Sequence, residues 1–127
     1  SVAVNEQIVV AGFNSGEVVA LSPVNGNVLW TDSLTSRGTQ VTPLSKLNAI
    51  VGRPVIDRDR VIVTSHGGRT AAIDIRSGER IWTTDVGSIE TPWVMGDYVL
   101  VMSLEGALVS LSREQGRVRW RTQLTSF

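Results

Sequence analysis

The residues able to do chemistry in this chain are few and scattered. His66 is the only histidine and precedes Gly67-Gly68. A metal site needs His, Cys, Asp or Glu ligands converging at set spacings. No second histidine or tight carboxylate cluster accompanies His66, which therefore reads as a turn residue. Cysteine is absent, which removes disulfides, thiolate zinc sites, iron–sulfur clusters and cysteine nucleophiles together. Gly67-Gly68 lacks the Lys-Ser/Thr that completes a phosphate loop. Asp57-Arg58-Asp59-Arg60 alternates in sign and reads as a hairpin turn, not a calcium loop. No catalytic, cofactor or metal residue is assigned, and no cofactor is called for. The chemistry left to the chain is recognition.

Composition narrows the partners. Twelve basic and twelve acidic side chains cancel among 127 residues, so no global field favours nucleic acid or an anionic membrane surface. A hydrophobic content of 42% argues for a soluble globular unit with a real core. No apolar run approaches the ~18 residues of a membrane helix. Ser1-Val2-Ala3-Val4 has neither the charged start nor the apolar core of a signal peptide, so the chain reads as mature sequence or as a fragment.

The elements that must position any binding residue are set by an internal repeat. Trp30, Trp82 and Trp120 each have a glycine 14 residues before them, at Gly16, Gly68 and Gly106, and another four before, at Gly26, Gly78 and Gly116. Between the glycines a small residue precedes a large aliphatic one: Ala20-Leu21, Ala72-Ile73 and Ser110-Leu111. The copies align without a gap from Val2, Pro54 and Pro92. Self-similarity at this period marks a repeat architecture.

Within each copy, short runs rich in Val, Ile and Leu alternate with turn residues, as in consecutive antiparallel hairpins. The first copy predicts strands over Val2–Val4, Ile8–Phe13, Glu17–Ser22 and Asn27–Asp32. In the second they fall at Pro54–Asp57, Arg60–His66, Arg69–Ile75 and Glu79–Thr84. The third gives Pro92–Met95, Tyr98–Ser103, Ala107–Ser112 and Arg117–Gln123. Helical periodicity with caps is missing throughout. Several runs, such as Tyr98-Val99-Leu100-Val101-Met102, are almost continuously apolar and need cover on both faces. A propeller blade packed between two others meets that need. The fold class expected is all-β, a partial β-propeller of three four-stranded antiparallel blades near 1–34, 52–86 and 90–124. The glycines fall at turns that favour positive φ, and each Trp suits an apolar blade junction with one N–H to satisfy.

The loop between the first two blades, 35–51, carries 14 extra residues. From Ser33 to Ile56 it holds Arg37, Lys46 and Arg53 without an acidic residue. A solvated loop is the ordinary reading, and an acidic partner surface the alternative.

The run Ala72-Ile73-Asp74-Ile75-Arg76-Ser77-Gly78-Glu79-Arg80-Ile81-Trp82 resembles the tryptophan-docking repeat of quinoprotein-like propellers. Ser22 and Ser112 stand where that pattern has Asp74, which implies a weaker docking hydrogen bond in those blades. Together with Pro43-Leu44-Ser45-Lys46-Leu47-Asn48-Ala49 and Pro54-Val55-Ile56, the order and spacing are similar to the BamB family, lipoprotein propellers of the bacterial outer-membrane β-barrel assembly machinery. That resemblance implies a non-enzymatic scaffold at the periplasmic face of the outer membrane, held by a lipid anchor outside this segment. Its implied partners are the barrel-inserting subunit BamA, through its POTRA domains, and unfolded barrel strands added at the exposed blade edges. The implied contact residues are Ile73, Ile75 and Arg76. Two other readings share the repeat: a segment of a quinone-dependent dehydrogenase, and a ligand-sensing propeller of a receptor. Three blades do not close a ring of typically 4 to 8, so a fragment of a propeller of about eight blades is expected.

Overall fold

The computed structural model describes residues 2–124 apart from positions 6, 14, 34–49 and 51. The long loop 35–51 and its basic bias, except for Ile50 and Arg53, lie outside the described residues. Among the described residues, twelve strands form three four-stranded antiparallel sheets and no helix occurs. The first blade holds β1 (Val2–Val4), β2 (Val9–Gly12), β3 (Glu17–Leu21) and β4 (Val28–Ser33). The second holds β5 (Val55–Asp57), β6 (Arg60–Ser65), β7 (Arg69–Asp74) and β8 (Arg80–Thr84). The third holds β9 (Trp93–Met95), β10 (Tyr98–Met102), β11 (Ala107–Ser112) and β12 (Val118–Gln123). Each sheet keeps its strands in chain order. The expected arc of three four-stranded blades is what forms. The edges β1, β5 and β9 approach one another and line its inside.

Strand alternation builds the core between blades. Successive side chains of a strand point to opposite faces, so β6 sends Val61 and Val63 toward the first blade and Ile62 toward the third. Val10, Val18, Ala20 and Ile73 complete the first seam, and Val99, Val101, Val109 and Leu111 the second. Every residue of β6 is consequently buried, whereas β2, on an end blade, alternates buried with half-buried residues. Burying a Val or Ile side chain stabilises by roughly 1.5–3 kcal/mol, so these seams hold the arc together.

The small residue of each copy makes room for its tryptophan. Ala20, Ala72 and Ser110 lie directly across the ladder from Trp30, Trp82 and Trp120. In every blade the register shifts immediately after that pair. Such a bulge bends the outer strand and re-aims its side chains.

Candidate functional site

The tryptophan repeat carries a directional lock. Trp30 of the first blade lies over Gly78 of the second, and its Nε1–H donates to the Ile75 carbonyl at 2.7 Å. Trp82 repeats this on the third blade, packing on Gly116 and donating to the Arg113 carbonyl at 2.8 Å. A methyl group at Gly78 would lie 2.8 Å from the Trp30 ring, so glycine is needed there for close approach as well as for its φ of 76°. Gly26, with φ of 73°, occupies the same position in the first blade with nothing against it. Trp120 is 45% exposed. One end of the arc is thus an empty socket and the other an unseated plug.

The docking hydrogen bond does not depend on the aspartate of the motif. Asp74 Oδ1 accepts the N–H groups of Arg76 and Ser77, closing its own turn. Those two bonds, Ser77 first, hold the Asp74 carboxyl below its ordinary value. The acceptor for tryptophan is the next residue's carbonyl, and Trp82 reaches it beside Ser112 as well as Trp30 does beside Asp74. The weakening expected from serine is therefore corrected. Ser112 Oγ accepts from Arg117 N and shapes its turn locally.

Around these turns lies the rim that could meet a partner. Ile73 is fully buried in the first seam, so it supports the rim from below and offers no side-chain surface. Ile75 is half-buried against the same cluster, and its N–H donates to the Asp59 carbonyl at 2.9 Å. Arg76 is exposed in the turn after β7. The three residues implied as contacts are thus one buried, one half-buried and one free to reach outward. Gly16, Gly68 and Gly106 sit in the opposite rim's hairpins with φ of 89°, 108° and 81°. His66 is half-buried in the turn beside Gly68.

Sequence reasoning missed a charge network that seals the second seam. Arg60 and Arg113 are 5% and 3% exposed, unusual for arginine. Arg60 donates to the Arg113 carbonyl at 3.0 Å and pairs with Asp59 at 3.0 Å. The Arg113 guanidinium bonds Asp57, Asp59 at 2.9 Å and Glu114 at 2.7 Å. Burial opposes the Arg113 charge, but the carboxylates of Asp57 and Asp59 outweigh it and raise its pKa. Arg60, then Arg113, hold the Asp59 carboxyl down to about 2. Asp57-Arg58-Asp59-Arg60 is the hairpin turn it was read as, with Arg58 at a φ of 54°, yet it also ties two blades together. The signal available in sequence was the register: Arg113-Glu114 stands where the second copy has Ile75-Arg76.

Among the described residues, no group of three His, Cys, Asp or Glu side chains could hold a metal ion. Nor is any helix among the described residues long and apolar enough to cross a membrane.

Comparison with known proteins adds the context. The family model described as "Outer membrane protein assembly factor BamB" matches residues 1–126. The protein of that name from Nitrosomonas eutropha is 34% identical over 87 residues, covering 68% of this chain and 21% of the relative. The crystal structure of BamB from Moraxella catarrhalis superposes with a TM-score of 0.85 at 22% identity, over 98% of this chain and 38% of the other. A europium-containing methanol dehydrogenase gives 0.77 at 16% identity, over 94% of this chain and 23% of its own, a likeness of fold alone. The chain spans about a quarter of the length of the curated relatives it matches.

Proposed function

Given that the chain belongs to the family of the outer membrane protein assembly factor BamB, we propose that it forms part of a non-catalytic scaffold for assembling outer-membrane β-barrels. The observation that carries this reading is the family match across all three docked blades, residues 1–126. The scaffold works at the periplasmic face of the outer membrane, on a lipid anchor supplied outside this segment. It holds the barrel-inserting subunit BamA through the POTRA domains, and unfolded barrel strands add to blade edges such as β12, whose residues are all exposed.

Arg76 is the residue through which the rim engages the partner. It is exposed, and its guanidinium makes no ion pair within the described residues. Ile75 stiffens the turn beneath it through the bond to Asp59 and its packing on the first seam. A guanidinium presented from a braced turn suits recognition of a carboxylate.

The test is retention of immobilised POTRA domains by the full-length protein. Arg76→Glu reverses a contact charge without touching the core, and retention is expected to fall by about tenfold or more. Wild-type retention by this variant sinks the assignment of the rim. A dehydrogenase reading shares the fold, but no feature of the described residues favours it over the scaffold.

A further inference from the structure

The lock that joins blades inside the chain leaves its two halves at opposite ends of the arc. On the second blade the plug is Trp82 with Thr84. The indole N–H donates to the Arg113 carbonyl at 2.8 Å, and the Thr84 hydroxyl donates to the Gly116 carbonyl. Trp120 and Thr122 hold the same register on the third blade, and there Trp120 is 45% exposed. The last plug thus carries both hydrogen-bonding groups of the one before it.

The socket at the other end is already shaped. Gly26 N donates to the Ser22 carbonyl at 2.9 Å with φ of 73°. The two glycines that carry a ring match it: 2.9 Å and 76° at Gly78, 2.8 Å and 69° at Gly116. A turn that holds this shape without its ring needs no rearrangement to receive one. The carbonyl that accepts the indole lies three residues before the glycine, at Ile75 and Arg113 in the filled sockets and at Pro23 in the open one. Proline lacks the N–H but keeps this acceptor.

The faces around the lock match as well. Val61, Val63, Ala71 and Ile73 of the second blade pack into the first seam. Their counterparts on the first blade are Val9, Ala11, Val19 and Leu21, equally apolar and only half-buried. On the third blade Leu100 and Leu108 repeat the positions by which Val10 and Val18 enter that seam, and they too are half-buried. Each end of the arc therefore presents the face that its opposite end is built to cover.

We propose that two copies of this chain dock head to tail through the same lock, the third blade of one against the first blade of the other. Trp120 lies on the second copy's Gly26 and donates to its Pro23 carbonyl, while Thr122 donates to its Gly26 carbonyl. A junction of unlike faces either closes into a ring or grows. Three blades from each of two copies make six, within the typically 4 to 8 of a closed propeller. Where further blades follow in one chain they take these faces in cis, so docking in trans belongs to the 127-residue unit. Joining separate bodies costs their translational and rotational freedom, so this seam, unlike the two inside the chain, dissolves on dilution.

The test is complementation between two broken locks. Gly26→Asn fills the socket. Asparagine tolerates a positive φ, and nothing lies within 4 Å of a side chain there in the single chain, whereas at Gly78 it would strike the seated ring. Trp120→Ala removes the plug at the far end. By light scattering at high concentration the native chain should reach at least twice 13.7 kDa, and each variant alone should stay at 13.7 kDa. An equimolar mixture of the variants should recover pairs of twice 13.7 kDa that grow no further, because one brings the plug and the other the socket. A native chain that stays monomeric, either variant associating alone at native strength, or a mixture that stays monomeric overturns the proposal. Should Gly26→Asn lose its near-ultraviolet circular dichroism and so fail to fold, Val19→Lys charges the same face from within β3 and takes its place in the mixture, with the same outcomes.

Discussion

At the scale of the residue, the same amino acid has two fates set by its position in the arc. Trp30 and Trp82 are 7% and 8% exposed because a following blade supplies a glycine and a carbonyl. Trp120, with the same two spaced glycines before it, is 45% exposed. Trp82→Ala should therefore cost roughly 3–5 kcal/mol, the range for emptying a large aromatic site. In the 127-residue chain Trp120→Ala should cost about 1 kcal/mol or less. Urea titrations of the two variants check the contrast, and equal losses would refute the docking role. The tryptophan register was plain in the sequence because it recurs three times. What it touched was not, since Trp30 meets Ile75 at a separation of 45 residues and Trp82 meets Arg113 at 31. A spacing rule within one copy reveals why a glycine can turn, but not that the neighbour's ring lies on it.

Elements answer to their neighbours in the same way. Strand positions were legible to within one or two residues: Tyr98–Ser103 was expected where β10 covers Tyr98–Met102, and Arg69–Ile75 where β7 covers Arg69–Asp74. Burial of Arg60 was not legible, because an arginine after Asp-Arg-Asp looks like turn punctuation until the next blade closes on it. The network it joins should respond to acid. The Asp59 carboxyl falls from an ordinary 3.8 to about 2, so its contribution is complete above 3.8 and is lost as pH falls toward 2. Across that window the native chain's melting temperature should drop more steeply than that of Asp59→Asn, which has no proton to take up there. Parallel curves would show that the pairing adds nothing to stability, as for many exposed ion pairs. The partner-contact triad shows the same limit: an aliphatic, Asp, aliphatic, Arg run names its residues, while the fold sets Ile73 inside a strand covered on both faces and Arg76 in the exposed turn beyond it.

On the scale of the whole molecule, the arc ends in unlike faces. The third blade leaves Met95, Tyr98 and Trp120 around one hollow, 62%, 44% and 45% exposed. A contiguous apolar face of this kind drives association when nothing covers it. The 127-residue chain alone should therefore show, by light scattering, a mass above 13.7 kDa that falls on dilution. Met95→Lys with Trp120→Arg should return it to the monomer. A native chain that stays at 13.7 kDa across concentrations would mean that the face is self-sufficient.

The direction of the tryptophan lock also fixes an order of events in biosynthesis. Each ring waits for a carbonyl 31 to 45 residues further along the chain. A blade emerging first from a ribosome or a translocation channel can pair its own strands at once, but it cannot be fastened until its successor appears. Maturation then proceeds like a zip drawn from the amino terminus, always with one unfastened link at the leading end. Proteolysis of stalled chains should find that link, the most recently made blade, as the point of attack.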